Sequence, residues 1–575
     1  MTAKFLAAAI LDGRPATPPP RLAQALRRIG CVDRWSAPGL ELYASDDLPV
    51  RRLSNGHGVV VGHVFDRSGA RAPATVAVSL CPPAADTVVR RLWGSYVALS
   101  RDADCVRVLR DPSGGLACYR SEIDGVQYFT SVPHVLVDCG LVAADVDWSL
   151  VAMALVRRRA RSSATALRRI DELLPGTLLT CRREAAVSRQ IWNPGAIPEL
   201  RRSAEAADRL EQVLASTLRA WARVSNHPLV EVSGGLDSAI VAAGIAAGAN
   251  RVSLITFSAA PGDPDETAYA RAVADHLGLP LEIGAPSIGD VDLTRSSSRD
   301  LPRPTARAFT QATDALSLGH ARSIGADAFL SGGGGDDVFC YLRTIVPALD
   351  RLNAQGFRAM MQSALDIAVM NHSTLWDSLH RIARRLRHGP SRDPRMDLRF
   401  LARGLAEGPE LPAPPNRSGR RRPGRDDHLR GILTIHNELE GHARAGFAPI
   451  VWPLLSQPVI ECCLSIPTWM WCEQGRNRAV ARRAFEARLP RMVVERRSKG
   501  AFDGFCAQLL ERNRALVREM LTEGRLAGEG LIDRRAVQAA LGAPSPPADT
   551  VARLLALADV ESWTQSWCSR QPAIR

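Results

Sequence analysis

The segment Ser233-Gly-Gly-Leu-Asp-Ser238 lies between an apolar run, Pro228-Leu-Val-Glu-Val232, and a stretch of small apolar residues, Ala239-Ile-Val-Ala-Ala-Gly-Ile-Ala-Ala247. This order predicts a strand, a glycine turn and the start of a helix. Glycines let backbone N–H groups approach an anion closely, and a helix N-terminus adds the positive end of its dipole. Asp237 lies in the same turn, where a carboxylate can hold a magnesium ion that bridges phosphates.

A second glycine turn repeats this arrangement. Ala328-Phe-Leu330 is typical of a strand, and Ser331-Gly-Gly-Gly-Gly-Asp336 follows it. Neither turn has the Gly-Lys-Ser/Thr ending of a Walker loop. A glycine turn alone is a weak signal, but two strand–turn junctions that each end in an aspartate are a much stronger one. We predict that the two turns form the two halves of one ATP site, with Asp237 and Asp336 as its Mg²⁺ ligands.

Strand and helix patterns alternate around these turns, which favours an α/β fold with a parallel, doubly wound sheet and ligands at the carboxyl ends of its strands. The predicted strands are Leu229–Ser233, Val252–Ser258, Leu281–Ala285 and Ala328–Ser331. The predicted helices are Ser203–Ala222, Ser238–Ala247, Asp265–Leu277 and Gln311–Ile324. Beyond Tyr341 the pattern is helical, apart from a Pro/Arg/Gly-rich loop predicted at 411–425.

The part of the chain before these alternating elements has a different pattern. A chain of 575 residues is too long for one core, so we expect at least two domains. Residues 1–198 show mainly short β-type runs separated by turn residues, which predicts an α+β layered domain, and residues 199–575 form the second predicted domain. The N-terminal run Lys4–Leu11 is short and has one basic residue, so we interpret it as a first strand and not as a signal peptide.

Composition narrows the classes of function. The formal charge of +13 is spread along the chain, apart from a basic run between Arg381 and Arg430, and no aromatic residues interleave with it, so we expect no nucleic-acid partner. No apolar run approaches the length of a membrane span, so we expect neither a membrane-spanning segment nor a membrane partner. The twelve cysteines show no C-x-x-C pair and no zinc-type spacing, which favours a reducing cytoplasm. The basic residues are arginines except Lys4 and Lys499, which makes Lys499 notable.

Further motifs indicate a family. The first glycine turn resembles the SGGxDS pyrophosphate loop of ATP pyrophosphatases. The second resembles the SGxGxDxxF motif of the asparagine-synthetase superfamily, with matches at Ser331, Gly332, Gly334, Asp336 and Phe339. Two later segments resemble that superfamily's P-L-L/F-D and R-x-K-x-x-F segments: loosely Trp452-Pro-Leu-Leu-Ser456, and Arg497-Ser-Lys-Gly-Ala-Phe502. The resemblance implies an ATP-pyrophosphatase fold, like that of adenine nucleotide hydrolases, with a large helical C-terminal part.

The N-terminal part resembles the glutaminase domain of the same family, which has an Ntn-type fold. The matching segments are Val60-Val-Gly-His-Val64, Arg110-Asp-Pro112 with Gly115, and Leu174-Pro-Gly176. Active domains of this type use a cysteine exposed by removal of the initiator methionine, whereas this chain has Thr2. A threonine hydroxyl serves as an N-terminal nucleophile in other enzymes. We nevertheless expect a degenerate domain, and therefore an amine other than ammonia released from glutamine.

The resemblance implies roles for single residues. The residues expected to bind ATP are Ser233, Gly234, Gly235, Asp237, Ser238, Thr256, Phe257 and Gly332. Asp237 and Asp336 would hold Mg²⁺ and neutralise charge on the leaving pyrophosphate. Lys499 would stabilise negative charge that develops at the reacting centre. Each residue also has a structural explanation, as a helix cap, a turn residue or a solvated lysine. The adjacent Asp265-Glu266 is interpreted as charge at a helix N-terminus and is left out of the site.

Several segments resemble lasso-peptide macrolactam cyclases. They are His436–His442, Pro453–Cys463, Arg476–Ala481 and Arg497–Gly500. In those enzymes an Asp or Glu side chain of a precursor peptide is adenylated, and the peptide's own N-terminal amine attacks it. The resemblance implies a precursor peptide as substrate, with a leader peptidase and a leader-binding protein as partners. Gly333 stands where asparagine synthetases carry Glu and β-lactam synthetases carry Tyr, and we expect it to leave room for a bulkier substrate.

Two other functions remain open at this point. One is a small-molecule synthetase of the asparagine or β-lactam type, and the other is a regulatory protein that uses an inactive synthetase fold to bind nucleotide or peptide. The retained Asp237, Asp336 and Lys499 count against the regulatory protein. No strong general base is needed, because an α-amino group has a pKa near 8. Glu438 or Glu440 is a candidate proton acceptor, although a place on a helix face explains either as well.

Overall fold

The computed structural model describes residues 3–11, 16–260, 263–389, 396–405, 422–497, 500 and 502–570. The strands of its N-terminal part are β1 (Phe5–Ile10), β2 (Cys31–Ala37), β3 (Leu40–Ser45), β4 (Val50–Leu53), β5 (Gly58–Asp66), β6 (Thr75–Val76), β7 (Leu92–Arg101), β8 (Val106–Arg110), β9 (Tyr119–Ile123), β10 (Val126–Thr130), β11 (Asp171–Glu172), β12 (Thr177–Cys181) and β13 (Ala186–Gln190). Its helices are α1 (Pro20–Arg28), α2 (Ala84–Arg91), α3 (His134–Asp138) and α4 (Trp148–Val156).

These strands form two largely antiparallel sheets that face each other. Their orders are β11-β9-β10-β1-β3-β2 and β13-β12-β8-β7-β5-β4-β6. Strand β1 shows why both faces are buried: Phe5, Ala7 and Ala9 pack in the core between the sheets, while alternate residues such as Leu6 pack against helices. Helix α2 covers the outer face of the other sheet through residues such as Val88. The predicted α+β layered architecture and the first strand at 4–11 are therefore confirmed.

The rest of the chain contains one parallel sheet of order β16-β15-β14-β17-β18. Its strands are β14 (Pro228–Glu231), β15 (Ser253–Phe257), β16 (Leu281–Gly284), β17 (Ala328–Ser331) and β18 (Ile450–Val451). Val230 and Leu330 face helices on one side of the sheet, and Leu229 and Phe329 face α8 on the other. The doubly wound parallel sheet is confirmed, and the four predicted strands agree with the structure to within two residues.

Helices make up most of this second part. Among the described residues, the helices before residue 466 are α5 (Ser203–Ala222), α6 (Leu236–Ala246), α7 (Thr267–Leu277), α8 (Thr310–Ile324), α9 (Gly335–Val338), α10 (Val346–Gln355), α11 (Phe357–Met370), α12 (Leu375–His388), α13 (Pro423–Thr434), α14 (His436–Leu439) and α15 (Gln457–Ser465). The later ones are α16 (Ala479–Phe485), α17 (Arg491–Glu495), α18 (Asp503–Arg512), α19 (Arg514–Glu523), α20 (Arg525–Gly528), α21 (Arg534–Gly542) and α22 (Ala548–Cys568).

Two details of the sequence interpretation need correction. Strand β18 interrupts the region beyond Tyr341 that was predicted to be helical, and it pairs with β17. The loop predicted at 411–425 ends early, because α13 already begins at Pro423, where proline suits the first turn of a helix. Residues 411–421 of that loop lie outside the described residues.

The two parts of the chain share buried surface. Phe65 and Trp93 stack on each other and meet Trp221 of α5 edge-on. A second shared core joins α1 and α4 to the C-terminal helix α22. The division into 1–198 and 199–575 stays a prediction. Within the described ranges, no helix combines the length and the apolar character that a membrane crossing requires.

Candidate nucleotide site

Sheet pairing brings the two glycine turns together. Strands β14 and β17 are parallel neighbours, with Glu231 opposite Ser331. Each glycine turn begins where its strand ends, so both leave the sheet at the same edge. Carboxyl ends of adjacent parallel strands are the usual location of ligand sites in such sheets.

The first turn is closed by its own residues. Gly234 has φ +68°, and a Cβ there would lie 2.4 Å from the Cβ of Tyr269, so only glycine fits. Ser233 N donates to Ser238 Oγ at 3.2 Å, and Ser238 Oγ donates to the carbonyl of Gly235 at 3.1 Å. Gly235 immediately precedes α6, an eleven-residue helix whose first turn contains Asp237. The turn therefore presents a helix N-terminus with backbone N–H groups toward the sheet edge.

The second turn packs directly on the first. A Cβ at Gly332 would lie 2.6 Å from the backbone nitrogen of Ser238, and one at Gly335 would lie 2.6 Å from the Cβ of Asp237. Contacts this short exclude any side chain at the two glycines. The glycines of the second turn therefore bring Asp336 close to Asp237.

One arginine links the two aspartates. Arg478 Nη1 donates to both carboxylate oxygens of Asp237, at 3.0 and 2.8 Å, and to Asp336 Oδ1 at 2.9 Å. Burial alone would lower the pKa of Arg478, but the two carboxylates outweigh burial and raise it. Arg478 precedes α16 with φ +52°, and its guanidinium lies 5.1 Å from the ring centroid of Tyr341. Arg478 was not identified from the sequence, because the segment 476–481 carries only a family resemblance.

The aspartate pair fits a divalent cation. Mg²⁺ is usually held by one or two carboxylates together with substrate phosphates and water. Asp237 and Asp336 meet at a single nitrogen atom, the place that a shared cation would take. Among the described residues, no group of three or more His, Cys, Asp or Glu could hold a metal ion. A cation at this point would therefore depend on ligand oxygens, and Arg478 would have to yield its place.

The remaining predicted nucleotide residues lie near the same edge. Thr256 and Phe257 end β15, the neighbour of β14, and Val232 N donates to the carbonyl of Ile255 at 2.9 Å. Thr256 is buried and Phe257 is half-buried. The structure thus places both residues beside the strand that leads into Ser233.

Lys499 lies outside the described residues, but its neighbours in the chain are held at the site. Gly500 N donates to Glu266 Oε1 at 2.6 Å, and Arg496 pairs with the same carboxylate. Arg496 also donates to the carbonyl of Gly234 at 3.1 Å and stacks on Tyr269, 4.2 Å from its ring centroid. Glu266, which was left out of the site predicted from the sequence, therefore ties Arg496 and Gly500 to the first glycine turn.

Both candidate proton acceptors are engaged by arginines of the N-terminal part. Arg159 donates to both oxygens of Glu438, at 2.8 and 2.9 Å, and also to Asp337. Burial would raise the pKa of Glu438, but Arg159 outweighs burial and lowers it. Arg161 donates to Glu440 at 2.7 Å. A carboxylate that is stabilised in its ionised form is a weak base, so this pairing counts against Glu438 as a catalytic base.

The space at Gly333 is filled by protein. A Cβ there would lie 2.5 Å from Cζ3 of Trp452 and 2.9 Å from Cδ2 of Leu439. The expectation that Gly333 leaves room for a bulkier substrate is therefore wrong, because the Trp452 indole occupies that room. The same contact excludes the Glu or Tyr that the small-molecule synthetases carry.

Comparison with solved structures finds matches of very low similarity. Among solved structures, similar chains include the "allosteric regulatory enzyme of purine biosynthesis", with 10% identity, a TM-score of 0.23 and coverage of 50% of this chain and 82% of that chain. Another is glutamine phosphoribosylpyrophosphate amidotransferase from B. subtilis complexed with ADP and GMP, with 9% identity, a TM-score of 0.19 and coverage of 50% and 83%. TM-scores this low support no inference about this chain.

No curated protein matches the sequence at a significant level. The asparagine synthase family matches it over residues 205–567, which is more than half of the chain and contains both glycine turns and Arg478. The chain therefore belongs to the asparagine synthase family, whose members form carbon–nitrogen bonds at the expense of ATP.

Proposed function

We propose that this protein closes a macrolactam ring on a precursor peptide. An Asp or Glu side-chain carboxylate of the peptide attacks the α-phosphorus of ATP, and the bond between the α-phosphate and the β-phosphate oxygen breaks to release pyrophosphate. The peptide's N-terminal amine then attacks the activated carbonyl carbon. The carbon–oxygen bond breaks, AMP leaves, and the amine loses its proton as the amide forms.

One observation carries the ATP-dependent half of this proposal, namely that Asp237 and Asp336 meet at one point between two packed glycine turns. The turn at 233–238 offers N–H groups to the pyrophosphate part of ATP. Thr256, Phe257 and Gly332 flank the nucleotide. Mg²⁺ bound by the two aspartates would supply neutralisation of charge on the phosphate oxygens.

The choice of a peptide rests on sequence resemblance and on one contact. The segments 436–442, 453–463, 476–481 and 497–500 resemble lasso-peptide cyclases. The Trp452 indole fills the place of the Glu or Tyr side chain that the small-molecule synthetases carry at position 333. The alternative is a small-molecule synthetase, and the experiment below distinguishes the two functions.

Positioning accounts for much of the rate in this proposal. Closing a ring of about nine residues costs roughly 2 kcal/mol in loop entropy. A synthetase that holds the carboxylate and the amine together removes that cost from the chemical step. The amine needs only weak assistance from a base, which agrees with the engagement of Glu438 and Glu440 by arginines.

The test uses the purified full chain with ATP, Mg²⁺ and synthetic peptides. The peptides are taken from short reading frames beside its gene and carry a free N-terminus with the leader removed. The expected result is AMP and pyrophosphate formation that requires the peptide, together with a product lighter than the peptide by the mass of one water.

Two control reactions decide against the alternatives. The first replaces the peptide's acidic residue by its amide, and the second offers free aspartate with ammonia. Turnover with aspartate and ammonia, and none with any peptide, would establish the small-molecule synthetase instead. Absence of AMP formation under every condition would favour the regulatory protein.

A further inference from the structure

A basic cavity lies next to the nucleotide site. Its volume is about 200 Å³, and it opens between the C-terminal end of α11 and the segment before α16. The lining residues that matter here are Tyr341, Arg343, Asn371, Arg476, Arg482 and Arg497. No residue of either glycine turn lines it. Phosphates bound at those turns would therefore lie outside this cavity.

Positive charge in the cavity exceeds the available negative charge. Among the described residues, four arginines and one carboxylate, that of Glu495, line the walls. Glu495 accepts a hydrogen bond from Arg491, which is not part of the lining, at 2.8 Å. Burial and the nearby guanidinium groups of Arg478 and Arg476 lower the pKa of Arg482 to about 10. Like charges in a confined space of this kind attract an anion from solution.

The arginines of the cavity differ in how many of their side-chain N–H groups already have a hydrogen-bond partner. Arg482 donates to the carbonyls of Asn477, Val494 and Arg496, so its role is structural. Within the part of the chain that the structure describes, the backbone N–H of Arg476 donates to the carbonyl of Glu473 at 3.2 Å, but the side chains of Arg476 and Arg497 have no hydrogen-bond or ion-pair partner. Their guanidinium groups are available to a ligand.

Tyr341 connects the cavity to the aspartate pair. Its hydroxyl accepts a hydrogen bond from Arg343 Nε at 2.8 Å, and Arg478 stacks on its ring. Its backbone N–H donates to the carbonyl of Asp336 at 2.9 Å. A ligand in the cavity is therefore separated by one side chain from the arginine that bridges Asp237 and Asp336.

We propose that this cavity is the subsite for the acidic side chain of the substrate, with Arg343, Arg476 and Arg497 as its carboxylate-binding residues. The assignment rests on the proposed function, since it names where the acid to be activated binds. Guanidinium groups bind carboxylates with paired, charge-assisted hydrogen bonds. The cavity is smaller than the clefts of about 300–1,000 Å³ that enclose whole drug-sized ligands. It therefore suits one acidic side chain, with the rest of the substrate outside.

A binding experiment tests the subsite without requiring turnover. The probes are N-acetyl-aspartate amide, its uncharged counterpart N-acetyl-asparagine amide, and inorganic pyrophosphate, each titrated into the full chain and followed by NMR. A hydrogen bond to a charged group contributes about 1.5–3 kcal/mol, so we expect the aspartate probe to bind at least about 10-fold more tightly than the asparagine probe. Arg476→Met should abolish that preference.

Arg358→Met is the matched control. Arg358 is exposed near the start of α11, at the opposite end of the helix from the cavity, so its loss removes the same charge from the protein without touching the cavity. We expect this variant to keep the full preference for the aspartate probe. If Arg476→Met unfolds at a lower temperature than the parent, Arg343→Met takes its place in the comparison.

Three results would overturn the assignment: equal binding of both amino-acid probes to the parent protein, an unchanged preference in Arg476→Met and Arg343→Met, or displacement of the aspartate probe by pyrophosphate. With an active peptide, Arg476→Met should raise the KM for peptide about 10-fold or more and leave the KM for ATP unchanged. Arginine-dependent binding of the aspartate probe without AMP formation from any peptide would retain the subsite and remove the macrolactam proposal.

Discussion

Two of the clusters that join arginines to carboxylates in the described residues have opposite proportions of the two groups. In the first, three arginines surround one carboxylate: Arg110 and Arg161 donate to Glu172 Oε1, and Arg303 donates to Oε2 at 2.7 Å. In the second, the single guanidinium of Arg478 serves both Asp237 and Asp336. The Glu172 side chain is fully buried, whereas the Asp336 side chain is 31% exposed.

The difference separates a scaffold from a site. The Glu172 cluster joins elements of the N-terminal part to the Arg303 segment, and water does not reach its carboxylate. Its partners are therefore fixed once the chain has folded. The Asp237–Arg478–Asp336 cluster has one carboxylate more than it has arginines and lies at a sheet edge. A cation with phosphate ligands would supply the positive charge that Arg478 now supplies to the two carboxylates.

The largest expected effect comes from breaking the Asp237–Arg478–Asp336 cluster. Asp237→Asn should reduce AMP formation by about 1,000-fold or more, because it removes a metal ligand and a charge next to the leaving pyrophosphate. The free energy of unfolding should fall by about 0.5–3 kcal/mol, since the Asp237 side chain is mostly buried but Asp336 still pairs with Arg478. Turnover assays and urea unfolding measure the two quantities. Near-normal turnover in this variant would remove Asp237 from the site.

Breaking the Glu172 cluster should lower the free energy of unfolding and leave the turnover rate of the folded protein unchanged. Glu172→Gln leaves Arg110 and Arg303 without their counter-charge, while Arg161 keeps Glu440. The loss of one partner of a buried pair costs about 3–5 kcal/mol. Glu122→Gln is the matched control, because Glu122 forms an exposed pair with Arg120 whose loss costs less than about 1 kcal/mol. Equal stability of the two variants by urea unfolding would contradict the scaffold role.

The same cluster predicts the sign of a pH effect. Burial would raise the pKa of Glu172, but the arginines outweigh burial and hold it well below its usual value. The stabilisation is therefore fully present above the unfolded-state pKa of about 4.3 and is lost as the pH falls toward the folded-state pKa. The gap in unfolding free energy between the parent and Glu172→Gln should be constant near neutral pH and narrow below about pH 4. A gap that widens on acidification would contradict this assignment.

Lys499→Ala tests whether the Asp237–Arg478–Asp336 cluster is sufficient for the reaction. Removal of one group that stabilises charge in a transition state costs about 100-fold or more in turnover. ATP binding should persist, because the glycine turns and aspartates remain. Equilibrium binding of ATP and single-turnover product formation separate the two effects. Normal ring formation in this variant would retire the role proposed for Lys499.

The smallest effect concerns Arg478 as a competitor of the cation. In Arg478→Met the two aspartates lose their shared counter-charge, so Mn²⁺ should bind the ATP-free protein about 10-fold more tightly than it binds the parent. Electron paramagnetic resonance of free Mn²⁺ measures this affinity. The double variant Asp237→Asn/Arg478→Met should lose the gain. Unchanged Mn²⁺ affinity in Arg478→Met would show that the arginine does not occupy the cation's place.

Local pattern was enough to predict the parallel sheet and the two glycine turns. Strand Ala328–Ser331 and helix Ser203–Ala222 agree with their predictions at both ends. The helix shows one consistent hydrophobic period, the strand is a short apolar run, and a turn signal follows each. Strand β18 was missed because two residues, Ile450–Val451, carry no period that could identify them.

Contacts between distant segments were beyond the reach of local pattern. Arg478 meets Asp237 only because α16 packs against α5 and the end of its preceding segment lies at the sheet edge. Glu266 has the position of a helix-capping charge, and only the fold shows that it holds Arg496 and Gly500. The indole of Trp452 against Gly333 likewise depends on the placement of β18.

The central claim is that Asp237 and Asp336 hold a single metal–triphosphate complex. The most direct test is a crystal structure with Mg²⁺ and a non-hydrolysable ATP analogue. We expect a cation within about 2.1 Å of an oxygen from each aspartate, with the Arg478 guanidinium displaced from between them. A nucleotide bound elsewhere, or Arg478 still bridging the two carboxylates beside a bound nucleotide, would contradict it.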